Sequence, residues 1–129
     1  MIEEDKNLLY KEIKTVYDKI SAAFAELDIK KVLSYFADND EMVKISNGII
    51  LRGKKELSDY FHNRLGKLES LSIKIENIQI HIIDEHNVWT VADEFITYSG
   101  QTHKAVVSNI FNKTKDGWKI LQDHTTYLD

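Results

Sequence analysis

Three polar side chains occupy stretches that otherwise alternate like β-strands, and each is of a type that can hold or move a proton. In Val88–Tyr98, the residues Trp89, Val91, Asp93, Phe95 and Thr97 share one side, which makes Asp93 a carboxyl among large apolar groups. If that side lines a dry pocket, burial raises the carboxyl pKa toward acid/base work; the alternative is a partly exposed carboxyl in a structural hydrogen bond. In Thr102–Lys113, His103, Ala105, Val107, Asn109 and Phe111 share a side. Asn109 can donate to a carbonyl or a developing oxyanion, or it can serve a strand or interface hydrogen bond. His103, nearer a turn, is either a rim contact or simply exposed. In Trp118–Tyr127, His124 shares a side with Trp118, Ile120, Gln122 and Thr126, and Asp123 falls on the other side with Lys119, Leu121, Thr125 and Tyr127. His124 is the second acid/base candidate, its alternatives an internal network or a subunit contact. Trp118 reads as core.

Other chemistries lack their residues. The chain has no cysteine, which removes disulfides, thiolate nucleophiles and sulfur-containing metal sites. The histidines at 62, 81, 86, 103 and 124 form no local metal-binding motif, the serines no nucleophile motif, and the glycines neither a phosphate loop nor a dinucleotide fingerprint. No cofactor and no metal are therefore expected. The two arginines are Arg52 and Arg64; Arg52 can receive a ligand carboxylate bidentately or make a surface salt bridge at a helix entry.

The elements that must position these groups follow from periodicity. Leu9, Ile13, Val16, Tyr17, Ile20 and Phe24 recur at helical intervals, so one long amphipathic helix is expected from about Glu3 to Glu26. Asp28 is placed to cap a short second helix packed through Ile29, Val32, Leu33 and Phe36. Met42–Ser46 and Ile49–Leu51 read as a hairpin around Asn47-Gly48, and Leu57, Tyr60, Phe61 and Leu65 as a third helix ended by Gly66. From Leu71 the period changes to four long β-rich stretches, Ser72–Ile83, Val88–Tyr98, Thr102–Lys113 and Trp118–Tyr127, with polar or glycine-containing turns between them. The fold class is α+β, with N-terminal helices against consecutive antiparallel strands and not the alternation of a dinucleotide fold. At 129 residues, residues 1–129 are read as a single domain; 43% hydrophobic and 29% charged residues suit a soluble globular chain. Seventeen basic against twenty-one acidic side chains, net −4, argue against a nucleic-acid backbone or an anionic membrane as partner. The N-terminal residues lack a secretory signal and no stretch is apolar enough to span a bilayer, so cytoplasmic residence is the default, unless a signal has been processed away.

This order of elements, with Tyr35-Phe36-Ala37-Asp38, then Arg52-Gly53-Lys54-Lys55-Glu56-Leu57, and the closing Asp116-Gly117-Trp118-Lys119-Ile120-Leu121-Gln122-Asp123-His124, resembles the nuclear transport factor 2-like, or SnoaL-like, superfamily. The resemblance covers nearly the whole chain. It implies a cone-like fold in which a curved, mainly antiparallel sheet wraps the helices around a largely apolar pocket, and a homodimer through part of the exposed sheet. Pocket candidates are then Tyr17, Tyr35, Tyr60, Trp89, His103 and Phe111, each otherwise explained as core or surface. Compared with ketosteroid-isomerase-like members, Lys44 or Ile45 falls where that group has its aspartate base, Ile20 where it has a helix tyrosine, and Asn109 near its later donor. That isomerase activity is therefore not implied. The reading is a SnoaL-like domain that binds a small apolar or carbonyl-containing molecule. The alternatives are a cofactor-independent isomerase, cyclase or dehydratase using Asp93 or His124 with Asn109, or a protein-interaction module.

Overall fold

The computed structural model, which describes residues 1–128, begins with the helix that the apolar spacing predicts. α1 (Glu3–Ala25) buries Leu9, Ile13, Tyr17, Ile20 and Ala23 along one side. Glu3, Glu4 and Asp5 fill its first turn, where unpaired backbone N–H groups favour negative charge. Asp28 caps α2 (Ile29–Leu33): its Oδ1 accepts from the Lys31 N–H at 3.1 Å. β1 (Val43–Ser46) and β2 (Ile49–Arg52) close around Asn47 and Gly48, whose φ values of 48° and 86° are those a tight two-residue hairpin demands. α3 (Gly53–Leu65) follows directly and buries Leu57 and Phe61. Gly66 ends it without the left-handed backbone usual for a terminal glycine, at φ −63°; a Cβ there would lie 2.5 Å from the His62 carbonyl oxygen.

The four long strands are β3 (Ser72–Asp84), β4 (Asn87–Tyr98), β5 (Gln101–Thr114) and β6 (Gly117–Tyr127), paired antiparallel in succession. β1 adds to β6 in parallel and β2 forms the far edge, giving the order β2-β1-β6-β5-β4-β3. The sheet is thus mixed and mainly antiparallel, as the sequence predicts. The segment after α2 is tied to it where Phe36 bridges Ile120: the Ala37 N–H donates to the Ile120 carbonyl at 2.8 Å, and the Ile120 N–H donates to that of Tyr35 at 2.7 Å.

Two bulges decide which side chains face inward. β3 is irregular between Glu76 and Gln79, where Asn77 adopts φ 54°. On β6, Phe111 pairs with Ile120 but Ile110 pairs with Gln122, leaving Leu121 as an extra residue. A single extra residue exchanges the two faces of everything beyond it. Trp118 and Ile120 are buried before the bulge, and Asp123 and Thr125 after it. The helices cover the inner face, with Ile13, Val32, Leu57, Val88 and Phe111 in the resulting core. No helix among the described residues is long and apolar enough to cross a membrane.

Candidate functional site

The helices do not fill the inner face completely. A cavity of about 300 Å3 remains between α1, α3 and the sheet, walled by apolar groups such as Ile20, Phe24, Phe61, Ile75, Ile96 and Val107. Tyr17, Lys44, Asn109 and Asp123, none more than 8% exposed, form its deep polar end. Tyr60, Tyr98 and Tyr127 are half-buried and Arg64 is exposed, so the cavity opens beside the C-terminal end of α3.

The deep end is a hydrogen-bonded chain with a defined direction. Asp123, a carboxylate that only accepts, receives Lys44 Nζ at 2.7 Å and Thr125 Oγ1 at 2.8 Å on Oδ1, and Asn109 Nδ2 at 2.8 Å on Oδ2. That fixes the Asn109 amide with its oxygen toward α1, where the Tyr17 hydroxyl donates to it at 2.7 Å. Having donated its proton there, Tyr17 is left to accept from Thr90 Oγ1 at 2.5 Å. Burial pushes the Tyr17 pKa far up, the Thr90 hydrogen bond opposes this, and the nearby Asp123 and Glu94 charges add to the rise; the residue is a neutral phenol. Burial disfavours the Lys44 ammonium, but the charge of Asp123 and its hydrogen bond together leave the Lys44 pKa above its ordinary value. Lys44 is therefore protonated, and its bond to Asp123 uses one of three donor positions.

Glu94 is built differently. Its carboxyl lines the same cavity, and no hydrogen bond or ion pair to it is present among the described residues. Desolvation, reinforced by the Asp123 charge and only partly offset by Lys44, pushes its pKa up to about 7. At neutral pH the cavity wall thus holds a carboxyl shared between its two protonation states, near an ammonium with unspent protons. Such a pair can exchange a proton with a bound molecule and stabilise charge that develops on its oxygen.

The residues singled out in the sequence divide clearly. Asn109 and Tyr17 meet in the chain just described, and Tyr60 lines the cavity, its hydroxyl donating to Ser46 Oγ at 3.2 Å. The amide protons of Asn109 point to Asp123 and, at 3.4 Å, to the Gln122 carbonyl, so its free-donor role has no free proton. Phe111 and Tyr35 pack in the core instead of lining the cavity, Phe111 edge-on to Tyr17 at 5.3 Å. His103 stacks on Tyr98 at 5.0 Å, beside the opening. Arg52 is exposed at the start of α3, its backbone N–H donating to Glu56.

Asp93, Trp89 and His124 require correction, because all three point to the outer face. Asp93 accepts from Asn77 Nδ2 at 2.8 Å there, and Trp89 stacks on His81. On β4 the bulk of Trp89 and Phe95 suggests the wrong side, since Val88, Ala92 and Ile96 are the buried set and Glu94 belongs with them. His124 is exposed because the Leu121 bulge turns Asp123 inward in its place. The helix hydroxyl missing at Ile20 is supplied one turn earlier by Tyr17. Glu94, Asp123 and Lys44 are the cavity groups that strand alternation alone does not single out.

A family model described as a SnoaL-like domain matches residues 13–128. No curated protein matches the sequence. Among solved structures, a proposed dehydratase of the NTF2-like family from Streptomyces avermitilis is 16% identical with a TM-score of 0.86, over 96% of this chain and 99% of that one. A proposed scytalone dehydratase from Novosphingobium aromaticivorans is 10% identical with a TM-score of 0.88, over 99% and 89%. An NTF2-like superfamily protein from Salmonella enterica serovar Typhimurium is 18% identical with a TM-score of 0.83, over 95% and 92%. These identities speak to the fold, and the family match speaks to membership. With its helices on a mixed six-stranded sheet and the match running through nearly its whole length, the chain belongs to the SnoaL-like domain family.

Proposed function

We propose that the cavity binds a small, mainly apolar organic molecule carrying a carbonyl or hydroxyl oxygen. The observation that carries this reading is the asymmetry of its polar lining: Glu94 has no protein partner and Lys44 has protons to spare, whereas Tyr17, Asn109 and Asp123 are satisfied by one another. A half-buried carboxyl that faces the cavity with no protein partner, beside an ammonium with donor positions left over, offers a ligand's oxygen both an acceptor and a donor. Native mass spectrometry of protein purified without added ligand, together with a screen of one- and two-ring carbonyl compounds, tests it. Ile75→Trp, which fills the cavity, should abolish binding; identical profiles for wild type and variant would sink the reading.

Glu94 favours a second, enzymatic reading on the same site: cofactor-independent acid/base chemistry of the isomerase, cyclase or dehydratase type. Here Glu94 would take a proton from carbon next to a carbonyl whose oxygen Lys44 holds, then return it elsewhere or to a departing hydroxyl. The proposed dehydratases among the structural neighbours lend this direction support. For a cavity ligand with an acidic C–H, Glu94→Gln should keep binding and lose deuterium incorporation from solvent. Retained incorporation would remove Glu94 from the chemistry.

The proposal includes a homodimer through the outer sheet face, where Trp89 is 43% exposed over His81. Trp89→Glu should then shift sedimentation from dimer to monomer.

A further inference from the structure

Arg64 belongs to no role assigned so far. It lies in the last turn of α3, is exposed, and lines the cavity where it opens. Among the described residues no carboxylate lies within ion-pair distance of its guanidinium, although Lys31, Lys44, Lys55, Lys74 and Lys113 all have such partners. Its contact is with the face of Tyr60, 5.5 Å from the ring centroid. That ring is itself fixed, by packing 5.6 Å from the ring of Phe61 and by the bond from its hydroxyl to Ser46. A cation in the last turn of a helix complements the helix dipole, which accounts for a positive residue here. It does not account for a head group that is laid over an aromatic wall and borders a cavity.

We propose that the molecule bound in this cavity is an organic monoanion, with an apolar one- or two-ring body inside and a carboxylate received by Arg64 at the opening. The inference rests on the ligand-binding reading above and specifies its ligand class. Charge balance supports it. Lys44 and Asp123 cancel within 2.7 Å of each other, so whenever Glu94 holds its proton the cavity wall keeps one uncompensated positive charge, that of Arg64. A monoanion neutralises that charge; a cationic ligand would meet repulsion, and the Tyr60 face that could have received it is already covered. Guanidinium geometry matches a carboxylate through two parallel hydrogen bonds, and a site at the opening lets the carboxylate stay partly hydrated. The other end of the molecule then lies toward Lys44 and Glu94, at the deep end. The arrangement separates recognition from chemistry along one axis.

The test uses two matched probes, 2-naphthoate and its neutral amide 2-naphthamide, titrated at pH 6, where Glu94 holds its proton, and at low salt with the naphthalene fluorescence as readout. Wild type should bind the carboxylate about tenfold more tightly than the amide, as a charge-assisted pair at a partly hydrated site allows. Arg64→Gln should bring the two within about twofold by weakening the carboxylate alone, and Arg64→Lys should restore part of the preference, since a point charge replaces a fork. Equal binding of both probes by wild type, or a preference that survives Arg64→Gln, overturns the anion inference and leaves the cavity reading standing. Ile75→Trp separates the two claims. If neither probe binds wild type, or both still bind the Ile75→Trp variant with its Tm unchanged, the cavity reading fails and this inference fails with it.

Discussion

Two acidic side chains face the same cavity and have opposite surroundings. Asp123 receives three close hydrogen bonds, from Lys44, Thr125 and Asn109, while Glu94 receives none among the described residues. The first arrangement makes a fixed charge that organises its neighbours. The second makes a group whose charge is decided by pH or by whatever enters the cavity, with its pKa up to about 7. Burial alone does not distinguish a structural carboxyl from a reactive one; the number and direction of the donors around it do.

The sharpest way to break the Asp123 side of this comparison is Asp123→Asn. The new amide must turn one NH2 group either toward Asn109 Nδ2 or toward Lys44 and Thr125, so donor meets donor in either rotamer. Lys44 is left buried without a counter-charge, and loss of about 3–5 kcal/mol is expected in denaturant unfolding. The double variant Lys44→Met/Asp123→Leu should recover only part of that loss: it removes the uncompensated charge but leaves the buried Asn109 and Thr125 donors without their acceptor. If Asp123→Asn unfolds within 1 kcal/mol of wild type, by this reasoning well below the roughly 3 kcal/mol floor, the network is not holding the cavity floor.

Glu94 should affect stability with the opposite sense. Its carboxyl is disfavoured as an anion in the folded chain, so its pKa of about 7 lies above the ordinary 4.5 of the unfolded chain. Between those values the unfolded state releases a proton that the folded state keeps, and stability falls as pH rises from about 4.5 to 7. The full difference is on the order of 3 kcal/mol at most, less where water in the cavity screens the carboxylate. Glu94→Gln should flatten this slope, becoming more stable relative to wild type at pH 8 than at pH 5. Parallel pH profiles for the two proteins would show that Glu94 is solvated and ordinary.

Between these extremes lies Tyr17, which joins α1 to the strand network. Tyr17→Phe keeps the ring against Phe111 but leaves the Asn109 oxygen and the Thr90 hydroxyl without their partner. A cost of about 1–3 kcal/mol is expected by thermal unfolding, with the Glu94-dependent pH slope intact.

Much of this architecture is legible in the sequence because it depends on local signals: the α1 stripe, the Asp28 cap and the Asn47-Gly48 turn all act within a few residues. The inner face of β5, with Ala105, Val107, Asn109 and Phe111, is also legible from alternation. Glu94 is hidden because both sides of β4 are apolar. A two-residue turn at Ser99-Gly100 contains the missing information: it sets Tyr98 opposite Gln101, hence Thr90 opposite Asn109 and Glu94 opposite Ala105. Residues directly opposite share a face, so register carried through the turn identifies Glu94 where hydrophobicity does not. The β6 bulge leaves no comparable trace. A turn at Lys115-Asp116 carries the register correctly as far as Ile120, and only the structure shows that Leu121 is an extra residue.

That bulge yields the smallest expected effect and a discriminating one. His124 and Asp123 are adjacent in sequence, and strand alternation without a bulge would put the histidine inside and the carboxylate outside. With Leu121 inserted, His124 is exposed on the outer face. His124→Ala should therefore change stability by less than about 0.5 kcal/mol and leave probe binding in the cavity unaltered, whereas the substitution one residue earlier is the most damaging of those considered. Removing Leu121 deletes the extra residue and sets Gln122 directly after Ile120, so a regular ladder keeps Ile110 opposite Gln122 and Asn109 opposite Asp123. Asp123 therefore stays inward and His124 outward in the deletion variant, which should keep the Lys44 ion pair and lose far less stability than Asp123→Asn. A deletion variant that unfolds as readily as Asp123→Asn would mean that the bulge itself, and not the register beyond it, holds the carboxylate inside.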